Sequence, residues 1–266
     1  PGADKLLPYT RCTTFIDCVD DKTALTAWGK RMVLRGATLA GHLVDQARNL
    51  DPADRDDKRR LNVLVEQLVA IAGANDRRER GSHLHTLSEF VDRGEPIPSR
   101  SPEDLADMAA YKAATVYLDV RHIERLVVVD DLRIAGTPDR ISFHQGPGPD
   151  GQPLAGNLIT DLKTGSVEFG ALKMAMQLAV YSRGVFYDHV TETRSPLRGV
   201  TGGGGLSRPL PAGRGACTVY WADLRLGWEA VEVARQVRAL RARRRVLLPF
   251  QGAVGAPGLA KHKPYV

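Results

Sequence analysis

Apolar positions along the chain change their period once. From Leu25 to Ile71 they recur at helical spacing in two runs, Trp28, Met32, Leu39 and Leu43, then Leu61, Leu64, Leu68 and Ile71. Two helices are expected, with Asp51-Pro-Ala-Asp54 between them as turn and cap. A third helix is expected around Ser82–Val91, after a charged stretch, Asp76–Arg80, that reads as exposed. A fourth begins after Ser101-Pro-Glu-Asp104, where proline falls in the first turn. The first hundred or so residues therefore read as mostly helical.

Short β-rich segments follow at Glu124–Val129, Leu132–Ala135, Asp139–Phe143 and Asn157–Leu162. Gln145-Gly-Pro-Gly-Pro-Asp-Gly151, between the third and fourth, is a turn by composition, so these two segments are expected to pair as a hairpin. That pairing brings Asp139 and Asp161 together. Glu168–Tyr187 then reads as a long helix, Pro196–Gly215 as a mobile loop containing Gly202–Gly205, and Thr218–Leu224 as a final strand. The last helix spans Trp228–Val246, with Val233, Val237 and Leu240 on one side and Arg235, Arg238, Arg241 and Arg245 roughly opposite. Those arginines are either a solvated helix surface or phosphate contacts.

A chain of 266 residues that is 43% hydrophobic has enough apolar material for a substantial core. No apolar run is long enough to cross a bilayer, and Pro1–Thr10 lacks the features of a signal peptide, which makes the cytoplasm the expected compartment. Cys12, Cys18 and Cys217 are too few for a disulfide framework and lack zinc-site spacing. The net charge of +6 suits a polyanionic partner, although 31 acidic residues are interspersed with 37 basic ones. Without a Gly-x-x-x-x-Gly-Lys-Ser/Thr loop, no nucleotide cofactor or ATP-driven motor is expected.

The candidate chemistry lies between Gly136 and Tyr181. Leu158, Ile159 and Leu162 bury the strand that ends in Asp161-Leu-Lys163, and charges beside a core need partners or a metal. Asp161 and Lys163, two residues apart on a strand, leave it on the same face. Asp139 and Asp161 offer hard oxygen ligands to magnesium or manganese, the carbonyl of Leu162 can add another, and Lys163 can orient an attacking water. His85, in Gly81-Ser-His-Leu-His85, is a further candidate ligand. His83, two positions away on the helix, points elsewhere, so at most one of the pair faces the site. Glu124 either joins the acidic cluster or caps a strand edge. Gln177 and Tyr181, one helical turn apart, share a face from which they hold Lys163 or a phosphate, or else satisfy buried polar groups.

Taken in order, Gly81-Ser-His-Leu-His85, Gly136-Thr-Pro-Asp139, Asp161-Leu-Lys163-Thr-Gly165 and Gln177-Leu-Ala-Val-Tyr181 resemble the motifs of the PD-(D/E)xK nuclease superfamily, in its RecB-like exonuclease branch as found in actinobacteria and their phages. The resemblance covers about His85 to Tyr181. It implies an α/β, restriction-endonuclease-like core with a mixed central sheet flanked by helices. It also implies a single nuclease domain, divided into a helical N-terminal region (1–80), the core (81–247) and a C-terminal tail (248–266). It assigns His85, Asp139, Asp161 and the Leu162 carbonyl to a magnesium or manganese site, and Asp139, Asp161, Lys163, Gln177 and Tyr181 to catalysis. Some relatives hold an iron-sulfur cluster on four cysteines. Three cysteines cannot build one, so none is expected here.

The function so implied is DNA exonuclease activity in phage or bacterial recombination and repair. DNA is the expected partner, alongside a single-strand annealing or single-strand-binding protein, and no membrane is involved. A structure-selective endonuclease or nickase with the same site, and a non-catalytic DNA-binding module on the same scaffold, are the alternatives.

Overall fold

Gly148–Gln152 turns the chain back on itself. The Gly148 N–H donates to the Gln152 carbonyl at 2.7 Å and Gly151 takes a φ of 79°, a conformation open to glycine. The expected hairpin follows in the computed structural model, which describes residues 7–164, 170–197, 200–209 and 215–243, with 200–209 given by its backbone. Strands β5 (Arg140–Pro147) and β6 (Pro153–Lys163) pair antiparallel with Arg140 opposite Thr160. Asp161–Lys163 extends past the paired part of β5, where Asp139 stands.

The architecture is α/β. In chain order the remaining strands are β1 (Thr10–Arg11), β2 (Leu118–Ile123), β3 (Val127–Val129), β4 (Ile134–Gly136), β7 (Val185–Asp188), β8 (Thr193–Pro196), β9 (Val200–Pro209) and β10 (Tyr220–Ala222). The helices are α1 (Cys12–Ile16), α2 (Thr23–Leu39), α3 (Gly41–Ala47), α4 (Arg55–Ile71), α5 (Ala74–Arg93), α6 (Pro102–Thr115), α7 (Ala171–Ser182) and α8 (Leu224–Arg241). One mixed five-stranded sheet runs β10-β9-β6-β5-β2, with β9 parallel to β6, and a second runs β1-β4-β3-β7-β8. Among the described residues no helix is long and apolar enough to cross a membrane.

Side-chain alternation along the hairpin gives it two faces. Ile141 and Ile159 join Met176, Leu178 and Val180 of α7, which also packs on Val127, Val129 and Ile134 of the second sheet. Leu162 turns the other way, onto Leu84 and Leu87 of α5 and Met108 and Tyr111 of α6. Helices α2 and α4 cross so closely that a Cβ on Gly36 would stand 2.0 Å from the Leu68 carbonyl oxygen.

Several boundaries differ from those expected. Leu25–Ile71 holds three helices, because the chain breaks at Ala40 (φ −137°, ψ 64°). Asp54 does cap α4, accepting from the N–H groups of Asp56 and Asp57. Asp76–Arg80 is the first part of α5 itself. The long helix expected to Tyr187 stops at Ser182, since Gly184 lies against Val127 and Val128 and the chain continues as β7. The expected loop across Gly202–Gly205 falls within strand β9, whose ladders take up Gly205, opposite Ile159 of β6 and Ala222 of β10, after a register shift that follows the Val200 rung. On α8 the buried residues are Leu224, Gly227, Val231 and Ala234, whereas Val233 and Leu240 are exposed. Arg238 lies over the Phe15 ring at 4.9 Å and Arg235 pairs with Glu232. Gly165, Glu168, Arg245, Val246 and the tail 248–266 lie outside the described residues.

Helices α5 and α6 are joined by a charged cluster. Arg80 donates to Asp104 and, at 3.0 Å, to Asp107, while His83 and Ser99 also reach Asp104. Burial pushes the Asp104 carboxyl up, but these donors outweigh it and bring it from 3.8 down to about 2. A carboxyl depressed by folding stabilises the protein above its unfolded value and loses that contribution as pH falls through the folded one. Asp104→Asn should cost about 3 kcal/mol near neutral pH. In urea titrations its deficit against the native chain should hold from pH 7 down to pH 4 and narrow below that; an unchanged deficit at pH 3 would speak against the pairing.

Candidate active site

Asp139 stands one residue before β5, where the next rung of the β5–β6 ladder would fall. Its side chain takes that place, Oδ2 accepting the Leu162 N–H at 2.7 Å. The Leu162 carbonyl leaves the strand on the same edge as its N–H. Asp161, 3% exposed, departs on the α7 side together with Lys163, whose Nζ lies 2.6 Å from Asp161 Oδ2. From the other side α5 brings His85, with Nδ1 3.6 Å from Asp139 Oδ2.

Two motif glycines, Gly81 and Gly136, are explained by close approach. A Cβ on Gly81 would stand 2.8 Å from Thr164 Oγ1, so that glycine lets α5 lie against the end of β6. A Cβ on Gly136 would stand 2.4 Å from the Tyr181 hydroxyl oxygen. Tyr181 is buried, its hydroxyl bonded to Gln177 and Cys12. Burial raises the Tyr181 hydroxyl well above the usual phenol range, with the Asp161 charge adding to the rise, and pushes the Cys12 thiol up to about 12. Among the described residues neither Gln177 nor Tyr181 hydrogen-bonds Lys163; Tyr181 instead packs against Gly136.

Burial lowers the His85 pKa, with Asp139 opposing and Arg140 and Lys163 reinforcing, so the imidazole is neutral at pH 7 and carries a lone pair. His83 points away into the Asp104 cluster. Glu124 does not open a strand. It sits between β2 and β3 at a φ of 46°, and its N–H donates to the Asp139 carbonyl at 3.1 Å. An open cleft of 570 Å³ runs along α5 past His85 to Thr164 and Glu124, with Arg78 on its wall.

The candidate ligands thus stand as two neighbouring pairs, His85 with Asp139 and Asp161 with Lys163. Among the described residues no three His, Cys, Asp or Glu side chains converge as a ready-made metal cluster. In kind they fit a hard divalent cation: two carboxylates at adjacent positions of a ladder, a neutral imidazole and a strand-edge carbonyl.

Sequence reading missed the group that fixes this geometry. Arg140 is fully buried; its Nε donates to Asp92 at 2.5 Å, one terminal nitrogen to Ser88 at 2.8 Å and the other to the Asp139 carbonyl at 3.1 Å. Tyr111 donates to the same Asp92 carboxylate at 3.0 Å. The available signal was the spacing of His85, Ser88 and Asp92, which places all three on one face of α5.

Two outcomes are expected. Asp92→Asn and Arg140→Met should each destabilise by about 3–5 kcal/mol, and the double variant by clearly less than their sum, since each single change strands a buried charge. Gly136→Ala should lower stability by about 1–3 kcal/mol, and adding Tyr181→Phe should recover part of the loss by removing the hydroxyl in the way. Additive losses in either pair, measured by chemical denaturation, would contradict the packing described. No protein-family model matches the chain, and no curated protein matches it either, so the reading of this site rests on its own residues.

Proposed function

We propose that the chain is a magnesium- or manganese-dependent deoxyribonuclease of the PD-(D/E)xK type, with a restriction-endonuclease-like core, that degrades DNA from an end as RecB-like exonucleases do. The observation that carries this reading is the juxtaposition at the end of one hairpin: Asp139 on the Leu162 N–H, Asp161 beside Lys163, and His85 facing Asp139 from α5. A solvated surface does not account for Asp161, which is almost wholly buried at the end of an apolar strand.

A phosphodiester resists attack because it is anionic, so its hydrolysis needs charge neutralised, a water presented and the departing oxygen stabilised. Asp139, Asp161, His85 and the Leu162 carbonyl would hold the cation, which would supply Lewis acidity and lower the pKa of a water. Lys163 offsets charge on the phosphate and holds the water by its ammonium N–H donors. Asp161 keeps the Lys163 side chain aimed. Gln177 and Tyr181 act on the site indirectly by fixing Gly136 and hence Asp139. Single strands exposed by such an enzyme suit an annealing or single-strand-binding partner in phage or bacterial recombination and repair.

The test is digestion of end-labelled linear duplex, single-stranded and covalently closed circular DNA, with magnesium or manganese, by the native chain, Asp161→Ala and Lys163→Ala. Linear DNA should be lost and circles spared, and each substitution should reduce the rate by at least about a hundredfold. Cutting of circles would show an endonuclease. No metal-dependent cleavage of any form, or cleavage surviving both substitutions, would remove the site proposed here.

A further inference from the structure

The cleft along α5 meets a wider open groove of 940 Å³ on the flank formed by β2, the turn after it and the end of β7. Glu124 lines both, and Thr137, two residues before Asp139, lies on the groove. Because the Glu124 N–H is bonded to the Asp139 carbonyl, the groove wall and the candidate active site share one piece of backbone.

The groove is lined by Arg93, Arg121, His122, Arg125 and His189, against Asp92, Glu124 and Asp188. Two of these acids are committed elsewhere. Asp92 holds Arg140 and Tyr111, and Asp188 accepts the N–H groups of Val190 and Thr191 at 2.8 and 3.2 Å. Arg93 pairs with the half-buried Glu89, whereas Arg121 pairs with Asp119 through exposed side chains, a contact that an incoming anion displaces readily. Among the described residues no carboxylate pairs with Arg125. Its guanidinium lies 4.0 Å from the centre of the Phe186 ring, which holds the charge at the groove, and the residue is exposed. Burial and the charges of Arg125 and Arg121 lower the His122 pKa, a sign of the positive field in the groove. Phe186 is itself buried, so its ring is not offered to bases as a stacking platform.

We infer that this groove holds the phosphodiester backbone of the strand segment lying beyond the one in the cleft, with Arg121 and Arg125 contacting phosphates irrespective of base sequence. The inference rests on the nuclease reading for what occupies the cleft, and adds where the rest of the strand runs. An acidic protein segment is the competing occupant.

Fluorescence anisotropy with a labelled mixed-sequence single-stranded 20-mer, without divalent metal and over a range of salt, tests it on the native chain, Arg125→Gln, Arg121→Gln/Arg125→Gln and Arg125→Lys. The double variant should bind several-fold more weakly, with a salt slope smaller by about 1.4, two contacts at about 0.7 each for single strands. Arg125→Lys, which keeps the charge, should retain most of the affinity. Native affinity and slope in the double variant, equal losses for Lys and Gln, or no binding by the native chain would overturn the inference. So would displacement by polyglutamate as effective as by unlabelled DNA, which would indicate the acidic protein segment. Groove-dependent binding without cleavage would remove the nuclease reading alone, whereas cleavage with binding indifferent to the groove would remove this one.

Discussion

The buried ion pair between Arg140 and Asp92 is the constraint on which the rest of the arrangement depends. A guanidinium with no exposed surface is tolerable only if its donors are met, and here they reach Asp92, Ser88 and the Asp139 carbonyl. Each partner has a separate geometric effect. Asp92 and Ser88 set the rotation of α5 on the sheet, and thereby the direction of His85 one turn earlier. The bond to the Asp139 carbonyl fixes the loop leading into β5. Replacing the network by apolar side chains would satisfy the core yet release the angle between helix and hairpin, and it is that angle that sets an imidazole opposite a carboxylate.

What the sequence made legible was local. The Gly- and Pro-rich run before Pro153 gave the hairpin and its acidic neighbours, Asp54 gave a helix cap, and Pro102 gave a helix start, because each signal is confined to a few residues. What escaped depends on partners distant in sequence. Arg140 reads as ordinary charge until Asp92, 48 residues earlier, is known to face it. The end of β9, from Gly205 onward, is fixed as a strand through ladders to β6 and β10. Helix α8 hides its packing face because a small residue carries it: a Cβ on Gly227 would stand 2.3 Å from the Ala175 carbonyl oxygen, so the backbones of α7 and α8 touch where hydrophobicity is least. The candidate site divides in the same way. Its two acids and its lysine lie within one hairpin, whereas the separate destinations of His83 and His85 follow from how α5 docks.

Electrostatics separates the two ends of α5. Near its start, Arg80 and His83 are spent on Asp104, binding α5 to α6 and taking no part at the site. Two residues after His83, His85 has its pKa lowered by burial, and at the end Asp92 gives its charge to Arg140. A single helix thus carries a structural charge cluster at each end and an uncharged donor between them.

The hairpin also determines which changes of length the chain can absorb. The turn at Gly148–Gln152 lies at the far end of β5 and β6 from Asp139 and Asp161, so added residues there lengthen a surface loop and leave the paired register intact. A single residue inserted between Thr160 and Asp161 acts differently, because alternation has a period of two. It would turn the carboxylate of Asp161 toward the apolar side chains of α5 and α6, and carry Leu162 into the place where the lysine and the acids now meet.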